Sequence, residues 1–290
     1  MARKIALLTN PTSGKGKGAR VREAVRDRLT HAGAEVRDLV GRDGDEALDL
    51  ASEAVADGIE SLVVIGGDGM VHVGVQAVAE TETVLGIIPA GTGNDVARYF
   101  DLPRKDPVAA ADRVIAGATQ RVDLARSGAK YYTTVLSAGF DAIVNERANQ
   151  MTWPKGQMRY NLATLAELRT FTPLQYTLDL DGATRRLEAM LVCVGNGPSF
   201  GGGLRITEGA DLTDGLLDVV IIKPMSRPEL IRTYPKLFKG THTDHPQYER
   251  HRVHRVTVAC PGITAYADGE RFGALPLTVE AAPGALRVYA

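Results

Sequence analysis

The chain has 290 residues, enough for two cores of ordinary domain size and short for three. Lys and Arg number 34 against 35 Asp and Glu, which excludes a broad basic face for nucleic acid as the main business. No apolar run approaches the roughly 20 residues that span a bilayer. The Met-Ala-Arg-Lys start lacks the apolar core of a signal peptide. A cytosolic protein is therefore expected, with Cys193 and Cys260 buried and reduced.

In chain order, residues 4–9 form a short apolar run ended by Asn10-Pro11, a buried strand. Residues 20–31 set Val21, Ala24, Val25 and Leu29 at helical spacing before Gly33. A strand over 35–40, a helix over 45–57, a strand over 61–65, a helix over 71–80, a strand over 85–88 and a helix over 106–116 follow. Such alternation predicts a parallel sheet covered on both faces. Beyond Val122 the texture shifts to strands, at 131–136, 174–180, 187–194, 217–222, 255–259 and 286–289, with Asp181-Gly182 as a turn. Two helices interrupt them, one over 158–169 and one opening at Ser226 with Glu229 completing a capping box. The second domain is expected to be mostly antiparallel.

The 31 glycines cluster where chemistry would sit. Asn10-Pro11-Thr12-Ser13-Gly14, with Gly16 and Gly18 beyond, joins a strand end to a helix start, where backbone N–H groups suit an anion. The loop also fits a dinucleotide fingerprint, with Asp38 ending the next strand. Gly66-Gly67-Asp68-Gly69 delivers a carboxylate between glycines at a strand end, suiting phosphates and Mg²⁺ together. Gly91-Thr92-Gly93-Asn94-Asp95 repeats that design one strand later. Further acids stand at Asp123, Asp268 and Glu270, although Asp268-Gly269 reads equally as a hairpin turn. The glycines of 195–203 and the oxygen donors of 210–218 suit a hard cation. His242, His245, His251 and His254 read as a solvated polar loop.

Taken together these stretches resemble the diacylglycerol kinase catalytic family of lipid kinases. The matching pieces are Asn10-Pro11, Ser13-Gly14, Gly66 to Gly69, Ile88 to Asp95, Gly139-Phe140-Asp141, Gly195-Asn196, Gly201 to Gly203, Asp214 to Asp218 and Asp268-Gly269-Glu270. They keep the family's order and span nearly the whole chain. The wording around Trp153-Pro154-Lys155 and Tyr266 is similar to actinobacterial members. One departure is Met70, where the family usually carries Thr.

The resemblance implies an α/β nucleotide-binding domain of the NAD-kinase/phosphofructokinase type over 1–124. A mostly antiparallel β-sandwich lipid domain follows over 125–284, with a last strand, 285–290, returning to the first. It assigns ATP to Asn10, Pro11, Thr12, Ser13, Gly14, Gly66, Gly67, Asp68, Gly69, Met70, Val71, His72 and Thr92. Catalytic Mg²⁺ falls to Asp68, Asp95 and Asp123. A second, structural Mg²⁺ falls to Asp214 with the carbonyls of Asp211 and Leu216. Glu270 is the implied general base, with Asp268 beside it.

The implied reaction moves the γ-phosphoryl group of ATP to the hydroxyl of diacylglycerol, giving phosphatidic acid. An insoluble substrate calls for peripheral contact with the bilayer, through Trp153, Lys155 and Arg159 and through Tyr234, Leu237, Phe238 and Lys239, residues that read equally as buried in the domain core; a homodimer is also open. Kinases of a sphingoid base, of phosphatidylglycerol or of NAD, and a dinucleotide-binding sensor, stand as alternatives.

Overall fold

The computed structural model describes residues 2–9, 17–139, 144, 147, 150–153, 163 and 172–290. The Asn10 to Gly14 loop, Phe140-Asp141, Lys155, Arg159 and nearly all of the helix expected over 158–169 lie outside them.

The first half alternates as its sequence demands. β1 (Lys4–Thr9), α1 (Lys17–His31), β2 (Glu35–Val40), α2 (Gly44–Ala56), β3 (Ser61–Gly66), α3 (Asp68–Val78) and β4 (Val84–Pro89) follow one another. The strands pair in parallel, in the order β2-β1-β3-β4. β3 and β4 are buried along their whole length, so their sequences run apolar rather than alternating. α3 starts at Asp68, ahead of the expected residue 71, because the Gly66-Gly67 turn hands the chain straight into the helix. A five-residue helix, α4 (Asp95–Tyr99), is too short to show periodicity. Next comes α5 (Pro107–Ala116), capped by Asp106.

The second half comprises β5 (Thr119–Ser127), β6 (Lys130–Tyr132), β7 (Val135–Gly139), β8 (Leu174–Leu180), β9 (Ala183–Ala189), β10 (Leu191–Gly195) and β11 (Leu217–Ile222). They are followed by α6 (Arg227–Leu237), β12 (Tyr248–Val253), β13 (Arg255–Ala259), β14 (Thr264–Ala267), β15 (Glu270–Ala274) and β16 (Leu277–Tyr289). The single strand expected over 187–194 is two. The chain leaves one sheet at Ala189 and enters the other at Leu191, while Met190 N–H bonds the Ile222 carbonyl at 2.8 Å. The histidine stretch also differs from expectation: His251 lies in β12, and His242 is buried. Both cysteines are buried and form no disulfide.

One sheet runs through both halves, in the order β2-β1-β3-β4-β16-β13-β8-β9, with β5 and β6 paired beside β16. The other is antiparallel, in the order β12-β11-β10-β7-β14-β15. Between the sheets pack Leu136, Val192, Val194 and Val219 from one and Leu178, Val256 and Val258 from the other. The outer face of the second sheet, with Val135, Cys193, Val220 and Ile222, is covered by Leu230 and Leu237 of α6.

β16 ties the halves together. Its start pairs with β13; from Glu280 onward it pairs with β5 on both sides of a bulge between Ala282 and Leu286, and at Val288 with β4. Leu286 and Val288 are fully buried, and the Tyr289 hydroxyl meets the Ser61 hydroxyl at 2.7 Å. Leu286→Ala leaves a cavity at this junction and is expected to cost about 2–5 kcal/mol, read as a lower urea midpoint. An unchanged midpoint would show that the end of β16 is not part of the cooperative core.

Candidate active site

Two glycine turns meet at the carboxyl edge of the parallel strands. A Cβ placed on Gly91 would stand 2.4 Å from the Gly67 Cα, so the turns touch backbone to backbone and Gly91 admits no side chain. Asn94 locks the second turn, accepting from Gly91 N–H at 3.0 Å and donating to the Gly91 carbonyl at 2.8 Å. It does so with φ +51°, a left-handed value that Asn tolerates. This residue carried no predicted role, although its place between Gly93 and Asp95 is visible in the sequence.

The turns bring two carboxylates together. Asp68 Oδ1 accepts Asp95 N–H at 2.7 Å and Val96 N–H at 3.4 Å. Asp95 is buried and reaches the second half, accepting Ser199 Oγ–H at 3.3 Å and Gly202 N–H at 2.6 Å. The Tyr99 hydroxyl donates to the Ser199 carbonyl, pinning α4 to the same segment. The glycines near 201–203 therefore serve here as a backbone donor to Asp95.

Burial, then the nearby charge of Asp95, pushes the Asp68 carboxyl up to about 6, against the two N–H groups it accepts. Burial also raises Asp95, opposed by Gly202 N–H and Arg98. Hard oxygen donors whose charge is penalised by burial are what a divalent cation relieves, so this pair fits Mg²⁺.

Across the cleft, Asp268 and Gly269 form the tight turn between β14 and β15, with φ +52° and +84°. The hairpin reading therefore holds for this turn. The buried Asp268 carboxylate accepts Thr133 N–H at 3.1 Å, Thr134 N–H at 2.9 Å and Thr134 Oγ1–H at 2.7 Å, and meets His72 Nδ1 at 3.0 Å. Burial alone would raise its pKa; His72 and Thr134 outweigh burial and hold it below the usual carboxylate range. Burial would lower the His72 imidazole, but the bond and charge of Asp268, with Glu270, raise it overall. Glu270 is exposed, and its Oε1 lies 3.4 Å from the position a Cβ would take on Gly69.

A cavity of about 870 Å³ opens from these acids. Asp68, Thr92, Asp95, Thr134 and Asp268 line its polar end. The rest is mostly apolar, lined by residues such as Met190, Phe200, Leu204, Ile222, Leu230 and Leu237. It follows the outer face of the second sheet beneath α6.

The other expected site residues are placed as follows. Met70 and Val71 are buried in the core between α3 and the sheet, leaving only backbone for a nucleotide. His72, expected to line the nucleotide, turns its Nδ1 to Asp268. Asp123 is not drawn in with Asp68 and Asp95. Its carboxylate accepts Gly215 N–H at 2.6 Å and Gly284 N–H at 2.8 Å, because β5 sets it against the bulge of β16.

Asp214 accepts Leu216 N–H at 2.9 Å and pairs with Arg252, and Asp211 accepts Thr213 N–H at 2.9 Å. Among the described residues no three His, Cys, Asp or Glu side chains converge on a metal. Arg252 thus occupies the Asp214 carboxylate expected to take the second Mg²⁺. Asp38 is paired with Arg26 at 3.2 Å.

A glycine-cradled acid pair at the strand ends, facing an antiparallel sandwich, defines a nucleotide-using kinase architecture. Comparison supports that class. Residues 4–127 match the diacylglycerol kinase catalytic domain, and residues 134–290 match the YegS C-terminal NAD kinase beta sandwich-like domain. A diacylglycerol kinase of Mycobacterium tuberculosis is 45% identical, over 98% of this chain and 94% of its own length. One of Bacillus subtilis is 28% identical, over 93% and 90%.

Among solved structures, a Bacillus anthracis diacylglycerol kinase superposes with TM-score 0.77 at 20% identity, over 99% of this chain and 96% of that one. An NAD kinase from Archaeoglobus fulgidus in complex with ATP gives TM-score 0.54 at 13% identity, over 99% and 93%. These two show the fold. The chain belongs to the diacylglycerol kinase family and is a lipid kinase.

The raised Asp68 makes a stability prediction. An acid with a raised folded pKa holds its proton more tightly folded than unfolded. It supports the fold below its ordinary value and costs stability as pH rises through about 6. In chelator, Asp68→Asn should stabilise the protein by about 2–3 kcal/mol near pH 8, the gain vanishing below about pH 4. Melting curves across that range check this, and a gain independent of pH would contradict it.

Proposed function

We propose that the protein transfers the γ-phosphoryl group of ATP to the hydroxyl of diacylglycerol, giving phosphatidic acid. The observation that carries this reading is one continuous cavity, acidic where it meets the glycine turns and mostly apolar for the remainder. An acyl chain is withdrawn from water along the apolar part, at roughly 25 cal/mol per Å² buried. Its hydroxyl is then presented beside Asp68 and Asp95. Soluble acceptors such as NAD give such a lining nothing to bury.

Phosphoryl transfer needs in-line placement and charge neutralisation more than covalent help. The glycine turns offer backbone N–H groups to the phosphates of ATP, with Thr92 exposed beside them. Mg²⁺, held by Asp68 and Asp95, would supply neutralisation of the developing charge. The lipid oxygen attacks the γ-phosphorus, the bond to the β-phosphate oxygen breaks, and ADP leaves. The hydroxyl proton goes to Glu270. Asp268 is a poor acceptor, because its oxygens are already filled by His72, Thr133 and Thr134.

Labelled ATP offered in parallel with diacylglycerol, sphingosine, phosphatidylglycerol and NAD⁺ should label diacylglycerol best. Label on NAD⁺ alone would overturn the reading. Glu270→Gln removes basicity at constant size, so kcat should fall by roughly 10²–10⁴ with the KM for ATP little changed. A variant with wild-type kcat would return the proton to another acceptor.

An insoluble substrate requires approach to the bilayer. No helix among the described residues is long and apolar enough to cross a membrane, which leaves peripheral contact. α6 suits it. Leu230, Tyr234 and Leu237 turn to the cavity, Phe238 stands at its rim, 45% exposed, and Ile231, 57% exposed, stands outward. Around them Arg227, Arg232, Lys236 and Lys239 are exposed, against one acid on the helix, Glu229, which pairs with His245. Ile231→Ser with Phe238→Ser should reduce sedimentation with vesicles of anionic lipid, and added salt should reduce wild-type sedimentation. Vesicle binding untouched by either change would reject α6 as the contact.

A further inference from the structure

We propose that His72 is a positioning residue for phosphoryl transfer, holding the Asp268-Gly269 turn across the cleft so that Glu270 stays over the first turn of α3. The proposal rests on the lipid-kinase reading and concerns a residue whose side chain meets Asp268 and not the nucleotide it was expected to line.

His72 lies one helical turn after Asp68 on α3, so the two share a face with Cβ atoms about 6 Å apart. Asp68 ends that face at Asp95; His72 ends it at Asp268, 3.0 Å away. The remaining donors to Asp268, Thr133 and Thr134, fix the turn to its own sheet. His72 is the donor that reaches it from the nucleotide side of the cleft.

Glu270 follows the turn directly, and its carboxylate already abuts Gly69. Movement of the turn therefore moves the proton acceptor relative to Asp68.

The charges facing the imidazole are Asp268 from the turn, Glu270 from β15 and Lys130 from β6. The two carboxylates favour the imidazolium and Lys130 opposes it. A neutral ring can still donate through Nδ1–H, so the hydrogen bond outlasts the charge. The hold is strongest at low pH and weakens as pH rises through the raised imidazole pKa.

Two readouts test this. Steady-state kinetics of wild type, His72→Ala and His72→Asn over about pH 5.5–9 separate positioning from packing. His72→Ala should lose about 10–100-fold in kcat, the cost of an ångström-scale misplacement, with the KM for ATP within about threefold. His72→Asn, whose amide can donate to Asp268, should recover most of the rate and lack the wild-type decline at high pH.

Independently of any lipid, the imidazole pKa followed by NMR should fall in Asp268→Asn. The proposal is overturned if His72→Ala keeps the wild-type kcat, if Asn and Ala are equally slow with the wild-type pH profile, or if the imidazole ignores Asp268→Asn. A wild type that phosphorylates no lipid, while its imidazole still responds to Asp268, would instead count against the substrate reading alone.

Discussion

Two carboxylates side by side in a crease are unstable company unless donors or cations hold them, and the architecture around Asp68 and Asp95 follows from that constraint. Asp68 draws the N–H groups of Asp95 and Val96, which exist as free donors because α4 starts there. Asp95 draws Ser199 and Gly202 from the other half of the chain. The close Gly67–Gly91 approach is what lets the two turns come near enough for this exchange. Satisfying the acids thus fixes α4, both glycine turns and the segment near Gly202 relative to one another.

The sheets make the same junction rigid from behind. Because β16 runs from β13 to β4, the two halves share one hydrogen-bonded sheet instead of a flexible linker. Asp123 reinforces the bend, satisfying Gly284 N–H at the β16 bulge and Gly215 N–H in the turn before β11. That arrangement leaves the outer face of the second sheet for the cavity, since its inner face is spent on the sandwich core.

Much of this was legible in the sequence wherever the cause is local. The alternation of the first half, the Ser226–Glu229 capping box, and the Asp181-Gly182 turn are fixed by residues close along the chain, and the structure shows each. What stayed hidden depends on partners far away. The break at Met190 is invisible because both flanking strands are apolar, and only pairing with Ile222 reveals the change of sheet. β12 hides among histidines and arginines because an edge strand half open to water needs few apolar residues. The bond between His72 and Asp268 spans nearly 200 positions, and nothing in either neighbourhood announces it.

The cavity and the acids also need each other. Water drawn into the polar end would screen Asp68 and Asp95 and lower the cost of their charge, but it would also hydrate the acceptor hydroxyl and compete for the phosphoryl group. An apolar chain filling the space beneath α6 removes that water, and with it the screening. Every charge at the polar end then counts for more, including the electrostatic penalty on Asp68. A filled cavity therefore strengthens the demand for a cation at the acid pair. On the proposed reading, acceptor and cation binding would then reinforce each other through burial alone.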